Sequence, residues 1–211
     1  MIPITAAGVL GITSPALTIG RGAPQAGRLL RSSAAGVSVA TWIQALLLGE
    51  LWAAYGFFAH VQAEVVTNIP GAVLAIVVVV LVGIRTGTTS RVLALASACG
   101  ALAGVLIVAS AAFKDLSLVS VPAVVGAVGL YLPQLVKLFR SAEVAGVSLM
   151  SWVLAFLATS SWSAYGIVVH KLPVVLPNVV MLPSSLVIVA RVLVLRRRSE
   201  AMRLAALPLE T

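Results

Sequence analysis

Both histidines, both asparagines and all four tryptophans of the chain fall into pairs 110 residues apart: His60 with His170, Asn68 with Asn178, Trp42 with Trp152 and Trp52 with Trp162. Rare residue types recur in that way when one unit is written twice. Shorter motifs refine the register: Pro24-Gln25 returns as Pro133-Gln134 and Arg31-Ser32 as Arg140-Ser141, at an offset of 109. After a one-residue insertion, Ala35-Gly36-Val37-Ser38 returns as Ala145-Gly146-Val147-Ser148. Trp52-Ala53-Ala54-Tyr55-Gly56 likewise returns as Trp162-Ser163-Ala164-Tyr165-Gly166. The two units run near 5–85 and 118–196.

The solvent of this duplicated unit is lipid. Only 9% of the 211 residues are charged and 61% are hydrophobic, against roughly 25% charged in a soluble domain. Uncharged runs of twenty residues separate Glu64 from Arg85, twenty-one Asp115 from Lys137, and 22 Arg91 from Lys114. About 20 apolar residues at ~1.5 Å rise cross a bilayer core of ~30 Å. Seven spans are expected, near 5–27, 39–59, 64–84, 92–112, 118–138, 149–169 and 174–195.

The expected fold is therefore an all-α membrane protein whose seven transmembrane helices form two parallel triple-helix bundles, 3+1+3. Three spans per unit is an odd number, so direct fusion would invert the second copy. The unpaired fourth span restores its direction and relates the copies by an axis along the membrane normal. The corresponding segments are 1–85 (first bundle), 86–116 (inversion linker), 117–196 (second bundle) and 197–211 (basic tail). Arg28, Arg31, Arg85, Arg91, Lys137, Arg140, Arg196, Arg197, Arg198 and Arg203 fall on one side of this arrangement, Lys114 and Lys171 on the other. The positive-inside rule then puts the N-terminus outside and the C-terminus in the cytoplasm, in a multi-pass plasma-membrane protein. The net charge of +8 is topology of this kind, and no nucleic-acid partner is expected.

The polar residues inside the spans are few. Pro24 and Pro133 near the ends of the first helices predict kinks, whose freed carbonyls Gln25 and Gln134 are suited to satisfy. Pro70, Pro177 and Pro183 predict further breaks. Trp52 and Trp162 lie near mid-bilayer, and Asn68 and Asn178 follow each by sixteen residues. Leu48 and Ala158, one turn before each tryptophan, are expected to shape one pocket unequally. Arg21 and Glu50 occur in the first unit only, where the second has Leu130 and Ser160. A mid-span carboxylate costs ~2.5–3.5 kcal/mol on insertion scales, so Glu50 is read as the partner of Arg21 or as a proton-coupling site. No metal site, cofactor or catalytic set is expected: Asp115 is the only aspartate, and no Ser/His/Asp or Cys/His group shares one depth.

These motifs together resemble the PQ-loop superfamily: Pro-Gln near the end of a first helix, a basic turn, Gly-Val-Ser, Trp-x-x-Tyr-Gly, and Asn on the third helix. Two such bundles joined by one helix resemble the SWEET sugar transporters, whose bacterial half-size relatives, the SemiSWEETs, hold one bundle per chain. The resemblance covers nearly the whole chain outside the fourth span and the tail. It implies a uniporter that passes a small neutral sugar by alternating access, with Trp52, Asn68, Trp162 and Asn178 on the substrate. It makes Pro24-Gln25 and Pro133-Gln134 the hinges, and Tyr55 and Tyr165 the outer gate. An indole face suits a sugar ring, and each amide is expected to offer two donors and an acceptor. Lipid is then the surrounding partner, and with both repeats in one chain oligomerisation is compatible but not required. Two alternatives stay open: a carrier of another solute such as an amino acid, with coupling through Glu50, and a receptor of similar architecture.

Overall fold

The computed structural model describes residues 5–31, 39–132, 135–136, 139 and 149–205, with the side chains of 21–31, 196 and 199–205 outside that description. Its helices are α1 (Ala6–Arg31), α2 (Val39–Phe58), α3 (Gln62–Thr86), α4 (Thr89–Phe113), α5 (Ser117–Gly129), α6 (Leu149–Val168) and α7 (Leu172–Ala205). No strand occurs among the described residues. Helices α3 and α4, and α7 as far as Leu195, are long and apolar enough to cross a membrane. Large apolar side chains such as Ile69, Val73, Val105 and Val108 face outward, as lipid-facing positions do.

Two of the predicted helix features differ. Helices α3 and α7 run unbroken through Pro70, Pro177 and Pro183. One proline removes one backbone bond and already holds a helical φ, and neighbouring helices tolerate that loss in a membrane. α1 is also helical through Pro24. α5, by contrast, stops at Gly129, and Leu130 and Tyr131 form a turn before helical backbone resumes at Leu132. The break sits just upstream of Pro133, which, with Gln134, lies outside the described residues. At the other end of the chain the basic stretch read as a tail continues α7 as helix to Ala205.

Within each repeat the third helix lies between the other two: α3 packs on α2 and α1, and α7 on α6 and α5. Between repeats, α1 packs on α6 and α2 on α5. Each first helix therefore leans on the second helix of the other copy. α4 packs on α2, α3 and α5.

Helices α2 and α6 stop in the same way. His60 and His170 take left-handed φ of 57° and 54°, and the amides after them close back onto Gly56 and Gly166 at 2.7 and 2.8 Å. This is the Schellman ending, and it accounts for the paired histidines through backbone conformation. These residues mark the histidine end of the bundle; Arg85 and Arg91 mark the basic end. Between α4 and α5, Asp115 Oδ1 accepts the Ser117 amide at 2.9 Å. The hydroxyl and amide of Ser117 hold that carboxyl below its usual range.

The apolar core differs between the two ends. At the histidine end one cluster draws on both repeats, including Leu51, Tyr55, Ala59 and Ala63 from the first and Val119, Tyr165 and Val174 from the second. At the basic end the described core is divided. Ile188 and Val192 pack with Trp152 in the second repeat, while Ile43, Val78, Val79 and Val82 pack around Trp42 in the first.

Candidate functional site

A cavity of about 140 Å³ lies between the repeats, and Trp52, Asn68, Trp162 and Asn178 all line it. Residues 110 apart therefore meet across one space. Thr18, Ala127, Tyr131, Ala158 and Thr159 complete much of the wall. Leu48 is not among the lining residues. It is buried in the shared core, against Gly126 of α5. Its pocket-shaping role is thus not what the structure shows; Ala158 alone of that pair borders the cavity.

The two tryptophans are held alike by one neighbour and differently by another. Each meets the tyrosine three residues on, edge to face, at 5.7 Å between ring centroids. The Trp162 indole N–H also donates to Thr18 Oγ1 at 2.8 Å, and that hydroxyl donates to the Ser14 carbonyl at 2.9 Å. On the Trp52 side the repeat-related residue is Ala127, which also lines the cavity and has no hydroxyl. Tyr55 and Tyr165 are buried beyond the cavity toward the histidine end. The Tyr165 ring lies against Gly11 of α1, and its hydroxyl meets the backbone of Ala63. Ser14 and Ser161 join the same α1–α6 seam at 2.7 Å. These contacts tie the two repeats together at the histidine end.

The asparagines are not equivalent. Asn68 Nδ2 donates to the Glu64 carbonyl at 2.9 Å and to Glu64 Oε2 at 2.7 Å. Both of its donors are taken, so it presents only its oxygen. The reverse amide orientation would set oxygen against two acceptors, which settles the assignment. Asn178 Nδ2 donates to the Val174 carbonyl at 2.8 Å, leaving one N–H and the oxygen. The expectation of two free donors on each amide is corrected accordingly.

Glu64 is the residue that sequence reasoning passed over, treating it only as the end of an uncharged run. It is buried at 6% exposure and lines the cavity. Its signal was present: Glu64 stands four residues before Asn68, hence on the same helical face, and the second copy has Val174 there.

The other predicted residues fall elsewhere. Glu50 is half-buried, with its carboxylate facing Gly100 of α4, and its Oε2 is buried without a hydrogen-bond partner among the described residues. The side chain of Arg21 lies outside the described residues, as do those of Pro24 and Gln25. An unpartnered buried oxygen costs about 1–3 kcal/mol. Glu50→Gln is therefore expected to raise thermal stability in detergent; a fall would reveal a cationic partner. The carbonyl of Gly126 at the α5 break accepts Gln44 Nε2 from α2 at 3.1 Å as well as the Leu130 amide at 3.2 Å. A glutamine from the other repeat thus gives this carbonyl a second donor.

Seven described helices, in two groups of three and one joining helix, surround a mainly apolar cavity with a few polar groups in its wall. Residues 116–175 match the family model described as PQ loop repeat. Among solved structures the chain is similar to a eukaryotic SWEET transporter solved at 3.7 Å resolution, with a TM-score of 0.80 at 17% identity over 91% of this chain and 97% of that one. A comparison with curated proteins gave no sequence match. Residues 116–175 thus match a PQ loop repeat, and the chain shares the fold of that SWEET transporter, the resemblance its motifs indicated.

Proposed function

We propose that the protein is a facilitative carrier for a small polar solute of the sugar class, working by alternating access. The observation that carries this reading is the meeting of Trp52, Asn68, Trp162 and Asn178 in one cavity between the repeats. Paired aromatic faces and amides suit a hydroxylated ring, and a modest number of hydrogen bonds lets the solute leave again. The division of the core supports the motion. The shared cluster at the histidine end and the separate clusters at the basic end correspond to a state shut on one side, and rocking of the bundles exchanges the two. In this reading residues 1–85 and 117–196 move as bundles, 86–116 joins them, Pro24 and Pro133 flank the hinges, and Tyr55 and Tyr165 form the gate at the histidine end. The histidine end faces outward from the plasma membrane. A zwitterionic amino acid fits less well, because no cationic side chain is among the described residues lining the cavity.

Uptake of radiolabelled glucose and sucrose into proteoliposomes tests the proposal. Saturable uptake that follows the solute gradient and ignores an imposed pH gradient is expected. Uptake driven by the pH gradient would replace uniport with coupling, and Glu50→Gln would test its route. No uptake of either sugar would remove the sugar assignment.

A further inference from the structure

The two halves of the cavity differ in chemistry as well as in sequence. On the first-repeat side stand the Glu64 carboxylate and the Asn68 oxygen, both acceptors. The second-repeat side has Asn178 with one N–H still to give. Three aromatic residues, Trp52, Trp162 and Tyr131, also border the space. The groups packed closest to Glu64 are Asn68 on its own helix, Gly56 on α2, and the phenols of Tyr55 and Tyr165, which lie within its electrostatic reach. None is a cation.

A carboxyl group withdrawn from water stays neutral unless a positive partner or several donors hold it ionised. Asn68 supplies one donor to Oε2, and no described side chain supplies a charge. An anion beside aromatic faces is the arrangement that recognises an ammonium group, through a charge-assisted hydrogen bond on one side and cation–π contact on the other. The second copy lacks it, since Val174 replaces Glu64. The charge also fixes a direction for the solute: its amine toward the first repeat, its hydroxyls toward Asn178.

We propose that the cavity takes an amine-bearing polyol, with Glu64 as the counter-charge of its ammonium group. This rests on the carrier reading above and narrows its solute. Asn68 is then a positioning residue, holding the carboxylate.

The test is binding to the purified full-length protein in lipid nanodiscs, read by intrinsic tryptophan fluorescence, with glucosamine, N-acetylglucosamine and glucose as probes. Glucosamine carries the charge, and N-acetylglucosamine has the same substituent position without it. A charged hydrogen bond predicts a preference of roughly tenfold or more for glucosamine over both neutral sugars. Glu64→Gln keeps the shape and is expected to erase that preference, as is Glu64→Val, which copies the second repeat. Monodisperse elution of Glu64→Gln keeps the comparison sound should Glu64→Val not fold. Equal binding of all three sugars, lost together in Asn178→Ala, would overturn the amine assignment and leave the sugar carrier standing. A preference that survives Glu64→Gln would overturn the role of Glu64. Binding of glucosamine alone supports the inference and removes the neutral-sugar reading. Binding of none of the three overturns both.

Discussion

Asn178→Ala is expected to lower solute uptake by about ten- to a hundredfold with stability unchanged, whereas Asn68→Ala is expected to lower both uptake and stability. Asn178 has one N–H and an oxygen available to a solute, and two neutral hydrogen bonds at about 1 kcal/mol each amount to that range. Its other N–H goes to the Val174 carbonyl, within its own helix. Little in the fold depends on that bond. Asn68 differs because both of its donors are committed to Glu64. Removing it strips a buried carboxylate of the donor that stabilises it, at a cost of about 1.5–3 kcal/mol. Thermal unfolding of the two variants in detergent, beside proteoliposome uptake normalised to protein, separates the cases. Identical behaviour of the two variants in both measurements would contradict the division of labour between the repeats.

The duplication made much of this site legible. Each tryptophan and each asparagine had a partner at fixed offset, and two copies around one axis bring together the pairs that lie near it, Trp52 with Trp162 and Asn68 with Asn178. The helix count and the 3+1+3 order followed from uncharged runs and from the parity of three spans. What escaped lies among the residues that differ between the copies. Glu64 has Val174 as its counterpart and Thr18 has Ala127, so neither stands out in a search for recurring residues. Leu48 failed for a geometric reason. Residues four apart on a helix are offset by about 40°, so neither residue had to share its tryptophan's surroundings: Leu48 packs on Gly126, while Ala158 borders the cavity. The proline breaks were overdrawn because a single missing amide is absorbed where neighbouring helices pack closely. Among the described residues only the α5 turn shows a break, and there a glutamine on α2 adds a second donor to the Gly126 carbonyl.

Gly56→Ala is expected to be the most damaging small substitution in the first repeat. A Cβ on Gly56 would stand 2.7 Å from Glu64 Cβ and 3.0 Å from both the Val61 carbonyl and the Val65 amide. Two of those three are backbone atoms, and the third is fixed directly to the backbone. None can rotate away. Relief requires α3 to move off α2, the most extensive helix contact in the structure, and it takes Glu64 and Asn68 from the cavity wall as it goes. Overpacking of this kind costs about 3 kcal/mol or more. Gly126→Ala provides the contrast. Its Cβ would come closer still, 2.5 Å from Leu48 Cδ2, but that atom is the tip of a side chain with two rotatable bonds. A rotamer change at Leu48 relieves the clash, and Leu48→Ala on the same background is expected to restore most of what is lost. Melting temperatures of the two glycine variants by fluorescence-detected size exclusion give the ranking. Gly56→Ala must fall well below Gly126→Ala, despite its longer contact distance. The reverse order would mean that α3 is free to shift against α2, and that the placement of Glu64 beside Asn68 is not held by this helix crossing.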